Sequence, residues 1–139
     1  MKSVLFLCTQ NACRSQMAQG IANHMLKGLV EAESAGVEPS KVHPLAIKAL
    51  SEIGVDISSA RSKHVSELGE KSFDLVVTVC DGAKARCPSW PGQGKRTHFG
   101  LPDPARATGD PDEKMAAFRA VRDRIIQGLI PHIKRELDI

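Results

Sequence analysis

The chain has 139 residues, of which 42% are hydrophobic and 25% are charged, and its formal net charge is +3. This is the composition of an ordinary globular protein, and the length predicts a single domain over residues 1–139. Charges of both signs are interspersed and aromatic residues are few, which argues against nucleic-acid binding. The N-terminal apolar run Val4–Leu7 is too short for a signal peptide or a membrane span. We therefore expect a cytoplasmic monomer with no membrane contact, in which the four cysteines are reduced.

The first part of the sequence predicts strands that alternate with helices. Val4–Leu7 predicts a buried strand, and apolar residues at helical spacing from Gln16 onward predict a helix. A second strand is predicted at Val30–Ser34. Pro44 suits the first turn of a further helix, which we expect to end at Gly54.

The next part predicts a short helical turn at Ser66–Glu70 and two more strands. Leu75–Val79 is almost entirely aliphatic or β-branched, as in a strand covered on both faces. Asp81–Arg96 is rich in Gly, Pro and basic residues and predicts a loop at a functional site. A short fourth strand is predicted at Thr97–Phe99.

The last part predicts one long helix. Asp110 suits the cap position, Pro111 the first helical position and Glu113 the third, which is the pattern of a capping box. We expect the helix to bend near Pro131. Its apolar face consists of Met115, Phe118, Val121, Ile125, Leu129 and Ile133.

Alternating strands and helices predict an α/β fold in three layers, with a four-stranded parallel sheet flanked by helices. Ligands bind such sheets at the carboxyl ends of the strands. Cys8 and Cys80 each stand directly after a predicted strand. We therefore expect both thiols at the same functional edge.

The segment from Cys8 to Ser15 carries the main chemical signal. Five residues between a strand and a helix can turn successive N–H groups toward one tetrahedral oxyanion, and Arg14 adds a planar fork for two of its oxygens. The same setting favours a thiolate at Cys8, to which Ser15 can donate. The plainer alternative is a buried cysteine and a surface arginine spaced by chance. The loop residues are Thr9, Gln10, Asn11, Ala12 and Cys13.

This segment resembles the Cys-x-x-Asn-x-Cys-Arg-Ser loop of the low-molecular-weight protein tyrosine phosphatase family, and within it most of all the arsenate reductases recycled by thioredoxin. The resemblance extends from Val4 to the final helix and implies the fold of that family. It also implies that Cys8 is the nucleophile and that Arg14 binds the oxyanion. Gln10 and Ala12 stand where Gly and Ser are most common.

A segment from His98 to Ala105 resembles the family's Asp-Pro segment, which implies that Asp103 is the general acid. Pro104 restricts Asp103 to an extended backbone, which helps to aim its carboxylate. Asp-Pro pairs are more often simple turns, and we interpret the second pair, Asp110-Pro111, as the helix cap.

Two further cysteines indicate reduction rather than hydrolysis. Phosphoryl transfer has no use for Cys80 or Cys87, whereas a thiol that attacks an arsenylated Cys8 would release arsenite. The resulting Cys8–Cys80 disulfide could then pass to Cys80–Cys87, the redox disulfide that a reductant opens. The alternatives are two inert cysteines, or a zinc site, for which the six-residue separation is too wide. Cys13 is interpreted as a packing residue.

We expect no bound cofactor and no metal, with arsenate as substrate and thioredoxin, glutaredoxin or another thiol as reductant. Some related reductases hold a potassium ion with Asn, Ser and two acids. Asn11 and Ser34 match these positions, but Gln19 and Lys63 replace the acids, which predicts no potassium requirement.

The predicted function is arsenate reduction by a thioredoxin-coupled disulfide relay, with weak phosphatase activity as a side reaction. The first alternative is a low-molecular-weight protein tyrosine phosphatase. Against it, the chain has no tyrosine, whereas eukaryotic members carry tyrosines after the Asp-Pro pair. The second is a regulatory redox protein. The histidines, including His98, are expected to be structural.

Overall fold

Four parallel strands form the central sheet. The computed structural model describes all residues except 70, 81–89 and 91. The predicted α/β architecture, with a four-stranded parallel sheet and flanking helices, is confirmed. The strands are β1 (Lys2–Leu7), β2 (Val30–Ala35), β3 (Leu75–Thr78) and β4 (Lys95–His98), and they lie in the sheet in the order β2-β1-β3-β4.

The helices follow the strands as the sequence predicts, with small shifts at their ends. The capping box at Asp110 is confirmed, because its side chain accepts from the N–H of Glu113 and the Glu113 carboxylate accepts from the N–H of Asp110. Short 3₁₀ helices occupy Val65–Leu68 and Pro104–Arg106. The α-helices are α1 (Arg14–Met25), α2 (Pro44–Ser51), α3 (Pro111–Arg124) and α4 (Ile130–Leu137).

The expected single final helix is interrupted. A π-helical turn at Ile125–Leu129 joins α3 to α4. Pro131 has no N–H to donate to the carbonyl four residues before it, which is a common origin of such irregular turns. Gly128 lies in this turn, and a Cβ there would approach Phe99 Cζ to 2.8 Å. The absence of a side chain at Gly128 therefore leaves room for the ring of Phe99, the residue that follows β4.

Each face of the sheet has its own core, because successive strand residues point to opposite faces. Val4 and Phe6 belong to the larger core, together with buried residues from all four α-helices. Leu5 and Leu7 belong to a smaller core on the other face. There they pack with Trp90, whose indole meets the Phe73 ring edge-on at 5.5 Å.

The fourth strand begins two residues earlier than predicted. Lys95 and Arg96 were expected in the loop, but both pair with β3 through the backbone, and the strand ends at His98 rather than Phe99. The rest of the predicted loop falls mostly on residues 81–89 and 91, which lie outside the described residues. Among the described helices, none is both long enough and apolar enough to cross a membrane.

Candidate active site

Cys8 and Cys80 lie at the carboxyl ends of neighbouring strands. Leu7 pairs with Thr78 across β1 and β3, and the N–H of Val79 donates to the Leu7 carbonyl over 2.9 Å. Cys8 directly follows Leu7, and Cys80 directly follows Val79. Both residues are buried, with 2% and 4% of their surfaces exposed. The structure therefore brings the two residues to the same edge of the sheet.

The loop after Cys8 is held through its carbonyl groups. The carbonyls of Thr9, Gln10 and Ala12 accept hydrogen bonds from outside the loop. In the part of the chain that the structure describes, no backbone N–H of residues 9–13 donates to another protein group. These N–H groups are therefore available to a bound oxyanion. The outside donors are the N–H groups of Val37, Glu38, Ser40 and His43 and the hydroxyl of Ser62.

Gly36 allows the end of β2 to approach this loop closely. A Cβ at Gly36 would lie 2.5 Å from the Thr9 carbonyl oxygen and 2.7 Å from that of Cys8. Both neighbours are backbone atoms, which cannot turn aside as a side chain can. Gly36 is therefore needed for the loop to keep its position.

A chain of hydrogen bonds inside the loop directs a proton toward Cys8. The Asn11 carbonyl oxygen Oδ1 accepts from the Lys63 N–H at 3.0 Å and from Gln16 Nε2 at 2.9 Å, so Nδ2 is the end of the amide that faces Ser15. Nδ2 donates to Ser15 Oγ at 2.7 Å, and Ser15 Oγ lies 2.8 Å from Cys8 Sγ. Because the Ser15 oxygen already accepts from Asn11, its hydrogen is left for the sulfur. A donated hydrogen bond stabilises a thiolate at Cys8.

Asn11 also adopts the left-handed backbone conformation at which the loop changes direction. Its backbone has a φ of 52°, in the left-handed region that Asn tolerates better than most residues. The residue is completely buried. One side chain therefore fixes both the path of the loop and the orientation of Ser15.

Arg14 and Asp103 meet at the side of the loop that faces the segment after β4. Arg14 is 7% exposed, and its Nη1 donates to the Leu101 carbonyl at 3.3 Å. Its Nη2 lies 3.8 Å from Asp103 Oδ2, while Asp103 Oδ1 accepts from the Ala105 N–H at 3.0 Å. These contacts hold the carboxylate beside residues 8–14, which we call the anion loop.

Cys13 is a buried thiol that stays neutral. The pKa of Cys13 is raised to about 12, chiefly by burial and also by the negative charges of Asp103 and Cys8, against the opposing effect of Arg14. Its Sγ lies 4.0 Å from Asp103 Oδ1. A thiol that does not ionise near neutral pH is a poor nucleophile, which agrees with the packing role expected from the sequence.

Cys80 is oxidised in this structure. It takes part in a disulfide bond, whereas Cys8 and Cys13 are free thiols. Neither of these two is therefore its partner. The predicted partner Cys87 lies outside the described residues.

The residues at the predicted cation position make contacts of their own. The Ser34 hydroxyl donates to Gln19 Oε1 at 2.5 Å, and burial lowers the pKa of the half-buried Lys63. No cluster of three or more His, Cys, Asp or Glu side chains suited to a metal occurs among the residues that the structure describes. That no potassium is required stays a prediction.

His43 was not singled out from the sequence, although it contacts the loop. Its N–H donates to the Ala12 carbonyl at 2.9 Å, and its Nδ1 accepts from the Leu45 N–H at 3.1 Å and so caps α2. Burial lowers the pKa of His43, and the charge of Asp103 opposes this shift. The signal in the sequence was its place directly before Pro44, where a helix cap is expected.

Comparison with known proteins places these observations in a family context. Residues 3–138 match the family model described as low molecular weight phosphotyrosine protein phosphatase. An arsenate reductase from Halalkalibacterium halodurans is 46% identical over 124 residues, which cover 89% of each chain.

Two solved structures extend the comparison to the fold. An arsenate reductase in its oxidised state superimposes with a TM-score of 0.77 and 30% identity, over 99% of this chain and 98% of the other. A thioredoxin-dependent arsenate reductase from Corynebacterium glutamicum has a TM-score of 0.69 and 31% identity, over 96% of this chain and 62% of the other.

Proposed function

Since the chain belongs to the low molecular weight phosphotyrosine protein phosphatase family, we propose that its anion loop and its cysteines reduce arsenate to arsenite. No bound cofactor takes part in this reaction. The electrons come from thiols of the protein and are replaced by thioredoxin in the cytoplasm. The names of the similar reductases and the residues of the site both support this proposal.

In the first step the Cys8 thiolate attacks arsenate. The free N–H groups of the loop and the Arg14 guanidinium stabilise the negative charge on the arsenate oxygens. A bond forms between Cys8 Sγ and arsenic, and one oxygen leaves as water. Asp103 protonates the departing oxygen, because its carboxyl group is held beside Arg14.

In the second step the Cys80 thiolate attacks Cys8 Sγ. The bond between sulfur and arsenic breaks, and its electron pair leaves with arsenic. Arsenic(V) becomes arsenic(III), and the two thiols become one disulfide. The neighbouring strand ends of β1 and β3 support this step, because they keep the two cysteines at one edge.

In the third step Cys87 attacks Cys80, and Cys8 leaves as a thiolate. The Cys80–Cys87 disulfide is then reduced by thioredoxin through thiol–disulfide exchange. The single observation that carries the proposal is that Cys8 and Cys80 follow the paired ends of β1 and β3, next to a loop whose backbone N–H groups are available to an oxyanion.

Arsenate-dependent oxidation of NADPH, coupled through thioredoxin and thioredoxin reductase, tests the proposal. We expect wild type to turn over repeatedly, and Cys80→Ser and Cys87→Ser each to lose repeated turnover. Cys13→Ser is the matched control, because it removes a thiol of the same site without interrupting the relay, and it should continue to turn over. Parent rates in both relay variants would refute the mechanism. With glutaredoxin in place of thioredoxin, wild type should be slower.

Hydrolysis of aryl phosphates is the second candidate function. It is favoured by the loop, Arg14 and Asp103, which together suffice for phosphoryl transfer, and by the family description. The two relay variants distinguish the functions, since hydrolysis needs neither Cys80 nor Cys87. We expect them to keep any phosphatase activity of the parent while losing arsenate turnover.

A further inference from the structure

Gln16 has a buried side-chain amide that takes no direct part in the three proposed steps. The residue follows Ser15 in the first turn of α1 and is 1% exposed. Its Nε2 donates to the Arg61 carbonyl at 3.0 Å and to Asn11 Oδ1 at 2.9 Å. A side-chain amide nitrogen has two hydrogens to donate, and these two contacts use both. Gln16 therefore joins the anion loop to the backbone at Arg61.

The Arg61 carbonyl determines the orientation of the Gln16 amide. A backbone carbonyl only accepts hydrogen bonds, so the Gln16 atom that faces it has to be Nε2 rather than Oε1. The second hydrogen of Nε2 then meets Asn11 Oδ1, which leaves Asn11 Nδ2 to donate to Ser15 Oγ. The direction of hydrogen bonding set at Arg61 is thus passed through two amides to the Ser15 hydroxyl, which lies 2.8 Å from Cys8 Sγ.

Residues 61–63 make two further contacts with the anion loop. The Lys63 N–H donates to Asn11 Oδ1 at 3.0 Å, so that this oxygen accepts from two donors. The Ser62 hydroxyl donates to the Gln10 carbonyl at 2.9 Å. The loop and the segment that orients its amides are therefore held together at three consecutive residues.

Burial keeps bulk water away from these hydrogen bonds. Asn11 and Ser15 are completely buried, and Gln16 is nearly so. If either amide were reversed, donors would face donors or acceptors would face acceptors, with no bulk water to satisfy them. Such unsatisfied polar groups are unfavourable in a buried site. One direction of hydrogen bonding is therefore strongly preferred.

We propose that Gln16 is a positioning residue for Cys8, because it carries the direction of hydrogen bonding from the Arg61 carbonyl to Asn11 and so leaves the Ser15 hydrogen for the sulfur. This inference rests on the proposed function in taking Cys8 as the nucleophile. Without the Gln16 donor, only the backbone holds Asn11 Oδ1, and the hydrogen bond that stabilises the thiolate is weakened. A purely structural link between α1 and Arg61 would affect stability but not the reactivity of Cys8.

The reactivity of Cys8 tests this inference without arsenate. Reduced protein is alkylated with iodoacetamide, and the modification of Cys8 is followed by mass spectrometry. Gln16→Met keeps nearly the same length but cannot donate, and we expect alkylation near neutral pH to be about 3- to 10-fold slower than in wild type. The difference should shrink toward about pH 9, where cysteine thiols ionise unaided. A loss that is the same at every pH would indicate a purely structural role and overturn the inference.

Two comparisons separate the route to Cys8 from a general disturbance of the fold. In a Ser15→Ala background the hydrogen bond to the sulfur is already absent, so adding Gln16→Met should slow alkylation no further. Gln19→Met makes the same change in a residue of α1 that accepts from Ser34 instead, and it should react as wild type does. A wild-type rate in Gln16→Met, an undiminished loss in the Ser15→Ala background, or an equal loss in Gln19→Met overturns the inference. If the alkylation results hold while wild type forms no arsenite, only the proposed function fails.

Discussion

The side-chain amide of Asn11 donates to the hydroxyl of Ser15 over 2.7 Å, and this contact decides where the Ser15 hydrogen points. The Asn11 amide is itself oriented by two donors on its oxygen, the Lys63 N–H and Gln16 Nε2. The hydrogen of Ser15 is therefore left for Cys8, whose Sγ is 2.8 Å away. Cys8 therefore depends on Asn11 through the hydroxyl of Ser15.

Reversing the hydrogen bond between residue 11 and Ser15 should make Cys8 a weaker nucleophile. In Asn11→Asp a carboxylate would accept the Ser15 hydrogen and withdraw it from Cys8, while Asp still tolerates the left-handed backbone. A hydrogen bond to a charged group contributes about 1.5–3 kcal/mol, so we expect turnover and the alkylation of Cys8 at neutral pH to slow about 10- to 100-fold. Stopped-flow alkylation and coupled turnover measure the two effects.

The double variant of Asn11→Asp with Ser15→Ala provides the control. Both changes remove the same hydrogen bond to Cys8, so the double variant should be little worse than either single variant. Losses that multiply would mean that Asn11 and Ser15 act separately.

Removing the carboxyl proton of Asp103 should slow the first step. Asp103→Asn keeps an oxygen that can accept from the Ala105 N–H, so the local turn survives. General acid catalysis contributes about 100-fold or more, and we expect a loss of that size in the single-turnover formation of arsenite. Arg106→Ala is the matched control, because its side chain is 85% exposed and lies 4.0 Å from the same carboxylate. A loss in the control as large as that in Asp103→Asn would contradict the assignment.

The thiol of Cys13 should make the fold sensitive to alkali. Its pKa is raised from 9.0 to about 12, first of all by burial. The unfolded chain loses this proton above pH 9 and the folded chain keeps it, so stability is complete below 9 and declines as pH rises toward 12. The decline cannot exceed about 1.4 kcal/mol per pH unit. In Cys13→Ala, urea unfolding should show a flatter alkaline decline, and an unchanged slope would contradict the raised pKa.

Glu52 should stabilise the fold at neutral pH, and this contribution should be lost in acid. Its pKa is lowered from 4.5 to about 2, chiefly by the hydrogen bond from Arg119, with Arg122 adding to the effect. The contribution is present above 4.5 and disappears as pH falls through about 2. The urea midpoint of Glu52→Gln should therefore lie below that of wild type at neutral pH and converge with it in acid. Glu31→Gln, which changes a carboxylate without an ion pair among the described residues, should show no such convergence.

Exchange of cations should not affect the rate. The family resemblance predicts that Gln19 and Lys63 replace the two acids of a potassium site, and Gln19 accepts a hydrogen bond from Ser34. We expect equal turnover in potassium and in sodium at matched ionic strength. A rate that rises several-fold with potassium alone would show that a cation site exists despite these two residues.

The sequence was sufficient for the sheet and for most of the site, because both are encoded by local patterns. The aliphatic runs mark β1 and β3, and the spacing of Cys8 and Arg14 marks the loop. The early start of β4 was not predictable, because Lys95 and Arg96 owe their strand conformation to backbone pairing with β3 rather than to apolar alternation. The hydrogen bond between Thr78 Oγ1 and His98 Nδ1, which lie 2.6 Å apart, was also not predicted, because only the register of β3 and β4 brings the two residues together. The π-helical turn before Pro131 was predicted only as a bend, because the apolar spacing of the final helix continues through the turn.

Trp90 is the only tryptophan of the chain and is 2% exposed, on the face of the sheet opposite the helices' core. Among the residues that the structure describes, none forms a hydrogen bond with its indole N–H. The ultraviolet emission of this protein therefore comes from one known position, three residues after Cys87 in the chain. Each stage of the cycle can be followed in solution with the unlabelled protein, by recording how that single emission changes in wavelength and intensity.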